Sequence, residues 1–193
     1  MKKLVSMILV AVFALVLFAG CTPDTSDTPN AGGTTQPSAS PSPDNRAALR
    51  GTFAQDFTAE DFSIKLTQNF TEIDPQEGFL AMYANEYDTV LIGVERLGFS
   101  VIEEFGISAE VLELLSPAEY ATGIGLTDED GLVEEDGLVY YITSDETYTN
   151  FASVYKGNEA FWVVEFIVEI EVFDDMKADV IKWAKSVKIT ETE

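Results

Sequence analysis

The chain has 193 residues, with 34 Asp and Glu against 11 Lys and Arg, a formal charge of −23, one cysteine and no histidine. That charge repels a phosphate backbone, so nucleic acid is excluded as a partner. Without histidine there is no Ser-His or Cys-His nucleophile pair and no imidazole base or metal ligand, and a lone cysteine closes no disulfide within the chain.

Lys2 and Lys3 open the chain with positive charge, and Leu4 to Phe18 is apolar apart from Ser6. Small residues, Ala19 and Gly20, then precede Cys21. Charge, apolar core and small residues in that order form a secretory signal peptide, and the run is shorter than the ~20 residues a spanning helix needs. Leu17-Phe18-Ala19-Gly20-Cys21 resembles the lipobox of bacterial lipoproteins. The resemblance implies that residues 1–20 are removed and that Cys21 carries a diacylglycerol thioether. The small residues give a peptidase access to the backbone, and only the thiol takes the lipid. Two or more acyl chains attach stably where one is marginal. An uncleaved membrane helix, or an ordinary signal leaving Cys21 as a free thiol, is the alternative.

On the lipobox reading Cys21 makes membrane lipid a partner and puts the chain on the extracytoplasmic face of the cell membrane. No thiol is then left for catalysis or metal. Cleavage leaves 173 residues with all 34 acidic and nine basic ones, a formal charge of 9 − 34 = −25. Such a chain repels anionic headgroups, so the acyl chains rather than a basic patch are expected to hold it.

Residues 21–50 read as the lipidated cysteine followed by a linker. Five of the seven prolines fall here, at Pro23, Pro29, Pro37, Pro41 and Pro43, among Ser, Thr, Asn, Gly and Asp and without an aromatic residue. Such a stretch buries too little surface to offset its ordering entropy. As a flexible coil it reaches about 30 Å, enough to hold a domain off a membrane.

Residues 51–193 are expected to form a single α+β domain. Phe62, Ile64 and Leu66 alternate with polar residues and predict a half-buried strand, continued by Phe70 to Ile73 after a bend at Gln68-Asn69. Asp74 to Gly78 is turn chemistry. Phe79 to Ala84 and Thr89 to Leu97 predict two more strands, the second with Val90, Ile92 and Val94 on one face. Ile107, Val111, Leu114 and Leu115 recur at helical spacing. A second helix starts at Ser116, with Pro117 in its first turn, a capping box between Ser116 and Glu119, and Gly123 and Gly125 at its end.

Asp136-Gly137 predicts a hairpin joining Gly131–Glu135 to a strand over Leu138–Ser144. Thr149 to Lys156 is a further strand, and Gly157-Asn158 a turn. The longest strand is predicted over Ala160–Glu171, central in its sheet. Ala160, Trp162, Val164, Phe166, Val168 and Ile170 lie on one face; Phe161, Val163 and Ile167 share the other with Glu165, Glu169 and Glu171, and the acidic residues are expected near an exposed end. From about Asp174 a closing helix presents Met176, Val180, Trp183 and Val187, with early acids and late lysines matching its dipole.

Strands, helices, strands and a last helix predict an antiparallel sheet with helices packed on it. Phe62-Ser-Ile-Lys-Leu66, Gly137-Leu-Val-Tyr-Tyr141, Tyr155 with Phe161-Trp-Val-Val-Glu-Phe166, and the last helix running into Ser186-Val-Lys-Ile189 resemble the PsbP-like family. Its members include an extrinsic subunit of photosystem II and many bacterial secreted or lipid-anchored proteins. The resemblance covers roughly residues 55–190; Thr67-Gln68 stands where the family usually has proline. It implies an α/β/α sandwich around a central antiparallel sheet, and no shared enzyme activity.

The densest acids are Asp128-Glu-Asp-Gly131 and Glu134-Glu-Asp-Gly137. An EF-hand centred on Gly131 would put Leu126 at position one and Gly137 at position twelve, neither a side-chain ligand. Two solvated turns are the plain reading, a weak Ca²⁺ site the alternative. Gly123-x-Gly125 follows a helix, so it ends that helix and is no phosphate loop. Ser63 and Lys65, without a motif, read as surface residues. Tyr140, Tyr141, Tyr148, Phe151, Tyr155, Phe161 and Trp162 either line a groove or, as alternation favours, fill sheet faces under helices.

No catalytic, cofactor or metal residue is singled out. The sequence therefore predicts a non-catalytic binding or interaction module of an envelope protein or peptide partner. The alternatives are a hydrolase of envelope glycans using carboxylates alone, which needs a cleft with two carboxyl groups about 5–10 Å apart, and a Ca²⁺-dependent structural protein.

Overall fold

A strand apolar on both faces is stable only in the middle of a sheet with both faces covered. Ala160–Glu169 is such a strand, and the architecture is built outward from it. The computed structural model describes residues 53, 55–85, 90–123 and 131–190. Cys21, the signal peptide and the linker lie outside the described residues, as do 86–89 and 124–130.

The elements run β1 (Gln55–Ala59), β2 (Phe62–Leu66), β3 (Phe70–Ile73), β4 (Ala81–Asn85), β5 (Val90–Gly98), α1 (Phe99–Glu103), α2 (Ala109–Leu114), α3 (Pro117–Gly123), β6 (Val133–Glu135), β7 (Leu138–Ser144), β8 (Tyr148–Lys156), β9 (Ala160–Glu169), α4 (Ile170–Lys185) and β10 (Lys188–Ile189). Seven strands form one antiparallel sheet in the order β3-β4-β5-β9-β8-β7-β6, with β9 at its centre as the sequence predicts. Strand β9 pairs with β5 from Gly98↔Ala160 to Val90↔Val168, and with β8 along nearly its whole length. The 136–137 turn, with both residues at positive φ, closes the β6–β7 hairpin.

On the first face Trp162, Val164, Phe166 and Val168 meet Val172, Phe173, Met176, Val180 and Trp183 of α4, together with Phe62, Ile64 and Leu66 of β2. Trp162 stacks on Phe62, and Trp183 and Phe70 meet edge to face. The C-terminal end of α4 is pinned twice. The Tyr155 hydroxyl donates to the Ala184 carbonyl at 2.8 Å; Ser186 Oγ donates to the Trp183 carbonyl at 2.6 Å and accepts from the Lys65 amide at 3.0 Å.

The second face is covered by α1–α3, through Phe99, Ile102, Leu112, Tyr120 and Ala121 packed on Val139, Tyr141, Ala152, Val154, Phe161 and Val163. Phe161 stacks on Tyr120 with centroids 4.1 Å apart. Lys156 Nζ donates to the carbonyls of Glu113 and Leu115, tying the end of α2 to the sheet. The result is the α/β/α sandwich around an antiparallel sheet that the sequence implies.

Several expectations are corrected. Strands β2 and β3 do not continue one another: the bend between them moves the chain from a separate sheet, β1-β2-β10, to the edge of the large one. Strand β1 and helix α1 have no counterpart in the sequence reading. Strand β9 stops at Glu169 and α4 begins at Ile170, so Ile170 leaves the apolar face and is 42% exposed. Glu165, expected toward an exposed end, is buried. The stripe predicted over 107–115 is turned: Leu112 is buried, whereas Val111 and Leu114 are exposed. The capping box holds, with the Ser116 amide donating to Glu119 Oε2 at 2.9 Å and the Glu119 amide to Ser116 Oγ at 3.2 Å.

Trp183, nearly inaccessible, is the side chain through which α4 grips the first face. Replacing it by Ala is expected to lower the free energy of unfolding by about 3–5 kcal/mol. Val101→Ala, on the solvent side of α1, is expected to stay within about 0.5 kcal/mol. Urea melts of the two variants check the contrast.

Candidate functional site

The second face of the sheet is interrupted by carboxyl groups. The register sets Tyr141 (β7), Ala152 (β8), Glu165 (β9) and Gly93 (β5) side by side. Of the two small residues beside Glu165, Ala152 presents only a methyl group, and the place beside Gly93 is taken by the Phe79 ring. Gly93 has to be glycine, since a Cβ there would run into the Phe79 ring. Glu95, two residues along β5 and opposite Val163, is the diagonal neighbour of Glu165. Diagonal positions on adjacent strands lie about 7–8 Å apart. Tyr120 of α3 and Tyr141 complete the group from above and beside.

Burial decides the proton affinity of all four. Glu95 is pushed up from 4.5 to about 7, first by desolvation and then by the neighbouring Glu165 charge. Glu165 is also raised by burial, with a hydrogen bond from Asn150 pulling the other way. Burial, then Glu95, lifts Tyr120 to about 12. Tyr141 is raised by burial and by Glu165, Glu95 and Tyr120 in turn. The Asn150 amide thus serves Glu165 at one end, while its Oδ1 is buried with no hydrogen-bond partner. Burial thus raises the proton affinity of both carboxyl groups, at the place where the cover of short helices meets the sheet.

On the outside of that cover, α1, α2 and the turn between them leave large apolar side chains in water. Leu114 is 84% exposed, Val111 47%, Val101 44% and Phe105 42%. Around them stand Glu103, Glu104, Glu110 and Glu113, and residues 99–123 contain no basic side chain. The sequence reading had turned Val111 and Leu114 toward the core, so it missed this surface. Counting Leu112 in the stripe would have found it.

The opposite side of the sandwich holds an open groove of about 550 Å³ lined by Phe53, Lys65, Ala178, Ile181, Lys182, Lys185, Ser186, Val187 and Lys188. Lys65 pairs with Asp56 at 2.7 Å and Lys185 with Asp136 at 3.0 Å; Lys182 Nζ stands 4.5 Å over the Phe53 ring. Lys65, read from sequence as a plain surface residue, is part of a basic wall.

Of the acidic turns, residues 128–130 lie outside the described residues, and Asp136 serves Lys185. Among the described residues no three acidic side chains are grouped to hold a metal ion, and no helix is long and apolar enough to cross a membrane. Tyr140, Tyr141, Phe151, Phe161 and Trp162 are buried and Tyr155 is largely so, whereas Tyr148 is exposed.

No protein-family model and no curated protein matches the chain. Among solved structures, cyanobacterial PsbP from a Synechocystis species is similar at 14% identity over 70% of this chain and 91% of that one, with a TM-score of 0.44. A Bacteroides thetaiotaomicron protein is similar at 11% identity over 72% of this chain, with a TM-score of 0.49; the chain spans 50% of that protein's length. The first is of the family that the sequence resembles. Likeness at this level says nothing of activity, and the fold assignment rests on sheet order and helix placement.

Glu95 gives a pH signature. Its folded-state proton affinity exceeds its unfolded one, so its stabilising contribution is full below pH 4.5 and is lost as pH rises through about 7. The Glu95→Gln variant keeps a neutral side chain at every pH. Its melting temperature is expected to match the parent near pH 4.5 and to exceed it by pH 8. A difference independent of pH would remove the assignment.

Proposed function

We propose that the protein is an extracytoplasmic lipoprotein, anchored in the cell membrane by acyl chains on Cys21, and that its sandwich is a binding module rather than a catalyst. Residues 21–50 act as the tether. The observation that carries the binding role is the set of exposed apolar side chains on α1 and α2, Val101, Phe105, Val111 and Leu114. Exposed apolar surface with a polar rim is the mark of an interaction site. The rim here is acidic, so the partner that fits is an envelope protein or peptide with an apolar centre and basic edge, and nucleic acid stays excluded by charge. The anchor reading rests on Leu17-Phe18-Ala19-Gly20-Cys21.

Cells fed a labelled fatty acid are expected to label this polypeptide and to lose the label on Cys21→Ser. A photo-reactive side chain at position 114 is expected to capture a discrete partner in intact cells, with capture lost on Val111→Asp. A labelled chain that captures nothing would keep the anchor and remove the binding role.

The Glu95–Glu165 pair does not favour the alternative of a carboxylate-only hydrolase of envelope glycans, because Glu165 is buried on a sheet face covered by α1–α3, where that chemistry needs an open cleft.

A further inference from the structure

The basic groove lies where the tether arrives. Phe53, which lines it, is the first described residue after the linker, and Lys182 covers its ring at 4.5 Å. Any anchor at Cys21 therefore pulls on this edge of the domain. Four of the nine basic residues left after cleavage, Lys65, Lys182, Lys185 and Lys188, are gathered here around an apolar floor of Ala178, Ile181 and Val187. Among the described residues, Asp56 and Asp136 are in ion-pair contact with these lysines, Asp56 with Lys65 and Asp136 with Lys185. Lys182 lies over the Phe53 ring, and Lys188 lies on β10 beside it. Across the sheet, α1–α3 carry only acidic charged residues. The domain is thus basic on its tethered edge and acidic on the far layer, within a chain whose total charge is strongly negative.

We propose that this groove seats the phosphate headgroups of anionic phospholipids, so that the tethered domain lies with the C-terminal end of α4 on the bilayer and the α1–α2 surface turned outward. A bilayer is favoured over an acidic polypeptide because the tether delivers the groove to a membrane. The apolar floor suits the glycerol end of a headgroup, while long lysine stems reach its phosphate. Each lysine near an anionic surface contributes about fivefold in affinity. Lys65 and Lys185 contribute less, because an anion must compete with Asp56 and Asp136.

The inference rests on the anchor reading for its geometry, but its test need not. The mature chain is coupled through Cys21 to a maleimide lipid, which fixes the tether whether or not cells acylate that residue. Lysine acetylation is then followed by mass spectrometry on vesicles of phosphatidylcholine alone and of phosphatidylcholine with about one third phosphatidylglycerol.

Acetylation of Lys182 and Lys188 is expected to slow about fivefold or more on the anionic vesicles at ~20 mM salt, and to recover at ~500 mM. Lys177, on α4 but outside the groove, is expected to be unchanged. In the double variant Lys182→Gln, Lys188→Gln, the slowing at Lys65 and Lys185 is expected to disappear with the melting temperature unaltered. Equal slowing on both vesicle types, equal slowing at Lys177, or none anywhere would overturn the proposal. So would protection by soluble polyglutamate with anionic vesicles without effect, which would give the groove to an acidic polypeptide. Failure of the fatty-acid labelling alone would remove the anchor and leave the headgroup site standing.

Discussion

Strand β9 has to be covered twice. Nearly every side chain it presents, on either face, is apolar, and the two large rings at 161 and 162 point in opposite directions. Neither face tolerates water, so the chain needs a layer on each side. It makes them differently. One long helix and a small sheet close the first face; three short helices close the second. A 16-residue helix with a continuous apolar stripe brings its own packing surface. Helices of five to seven residues have little stability of their own. They stay because Phe161 is stacked beneath Tyr120 and because Lys156 binds the last carbonyls of α2.

That asymmetry sets where chemistry is found. The continuous helix leaves a finished core, with Tyr155 and Ser186 bonding the carbonyls at its end. The piecemeal layer covers a face on which Glu165 and Glu95 keep company with Tyr120, Tyr141 and a half-satisfied Asn150. A buried carboxyl group in an apolar setting costs stability unless it stays protonated or is paired. Here burial raises the proton affinity of both groups, and the small side chain of Ala152 lies beside Glu165. The same short helices are too narrow to bury all their apolar side chains, which is why Leu114 and Val111 meet water.

The sheet was largely legible in the sequence, because strand signals are local: the alternation in Phe62–Leu66 and Val90–Val94, the Asp136-Gly137 turn, the capping box at Ser116. What failed was what depends on partners far along the chain. Strand β1, Gln55–Ala59, is mostly exposed and makes sense only opposite β2. Strand β10 is two residues long and exists because Thr190 and Asp61 meet. The β9–α4 junction was misplaced because Ile170 extends the alternation although its backbone has turned helical. The carboxyl pair was invisible: in sequence Glu165 reads with Glu169 and Glu171 as an acidic end of an apolar strand, and only the register with β5 brings Glu95 beside it. The lysine groove joins residue 65 to residues 182–188, and a distance of that kind in sequence carries no signal.

An acidic protein with a basic edge raises a question of range. At physiological salt the field of a charge fades within about 8 Å. Beyond that distance the net charge and the local lysines are both screened, and an anionic surface neither holds nor orients a free domain. Within it, only the nearest side chains count, and at the tethered edge those are Lys182, Lys185 and Lys188. On the proposed reading, a lipid anchor and a linker of about 30 Å keep the domain close enough to meet the membrane repeatedly, and local charge counts whenever this edge comes within the screening range. On the proposed reading, attachment and orientation are thus separate tasks, given to different parts of the chain. Acyl chains supply the energy of attachment, and the lysines choose which face looks down. The acidic layer, repelled by the same surface, is left facing outward with its apolar side chains open to a partner.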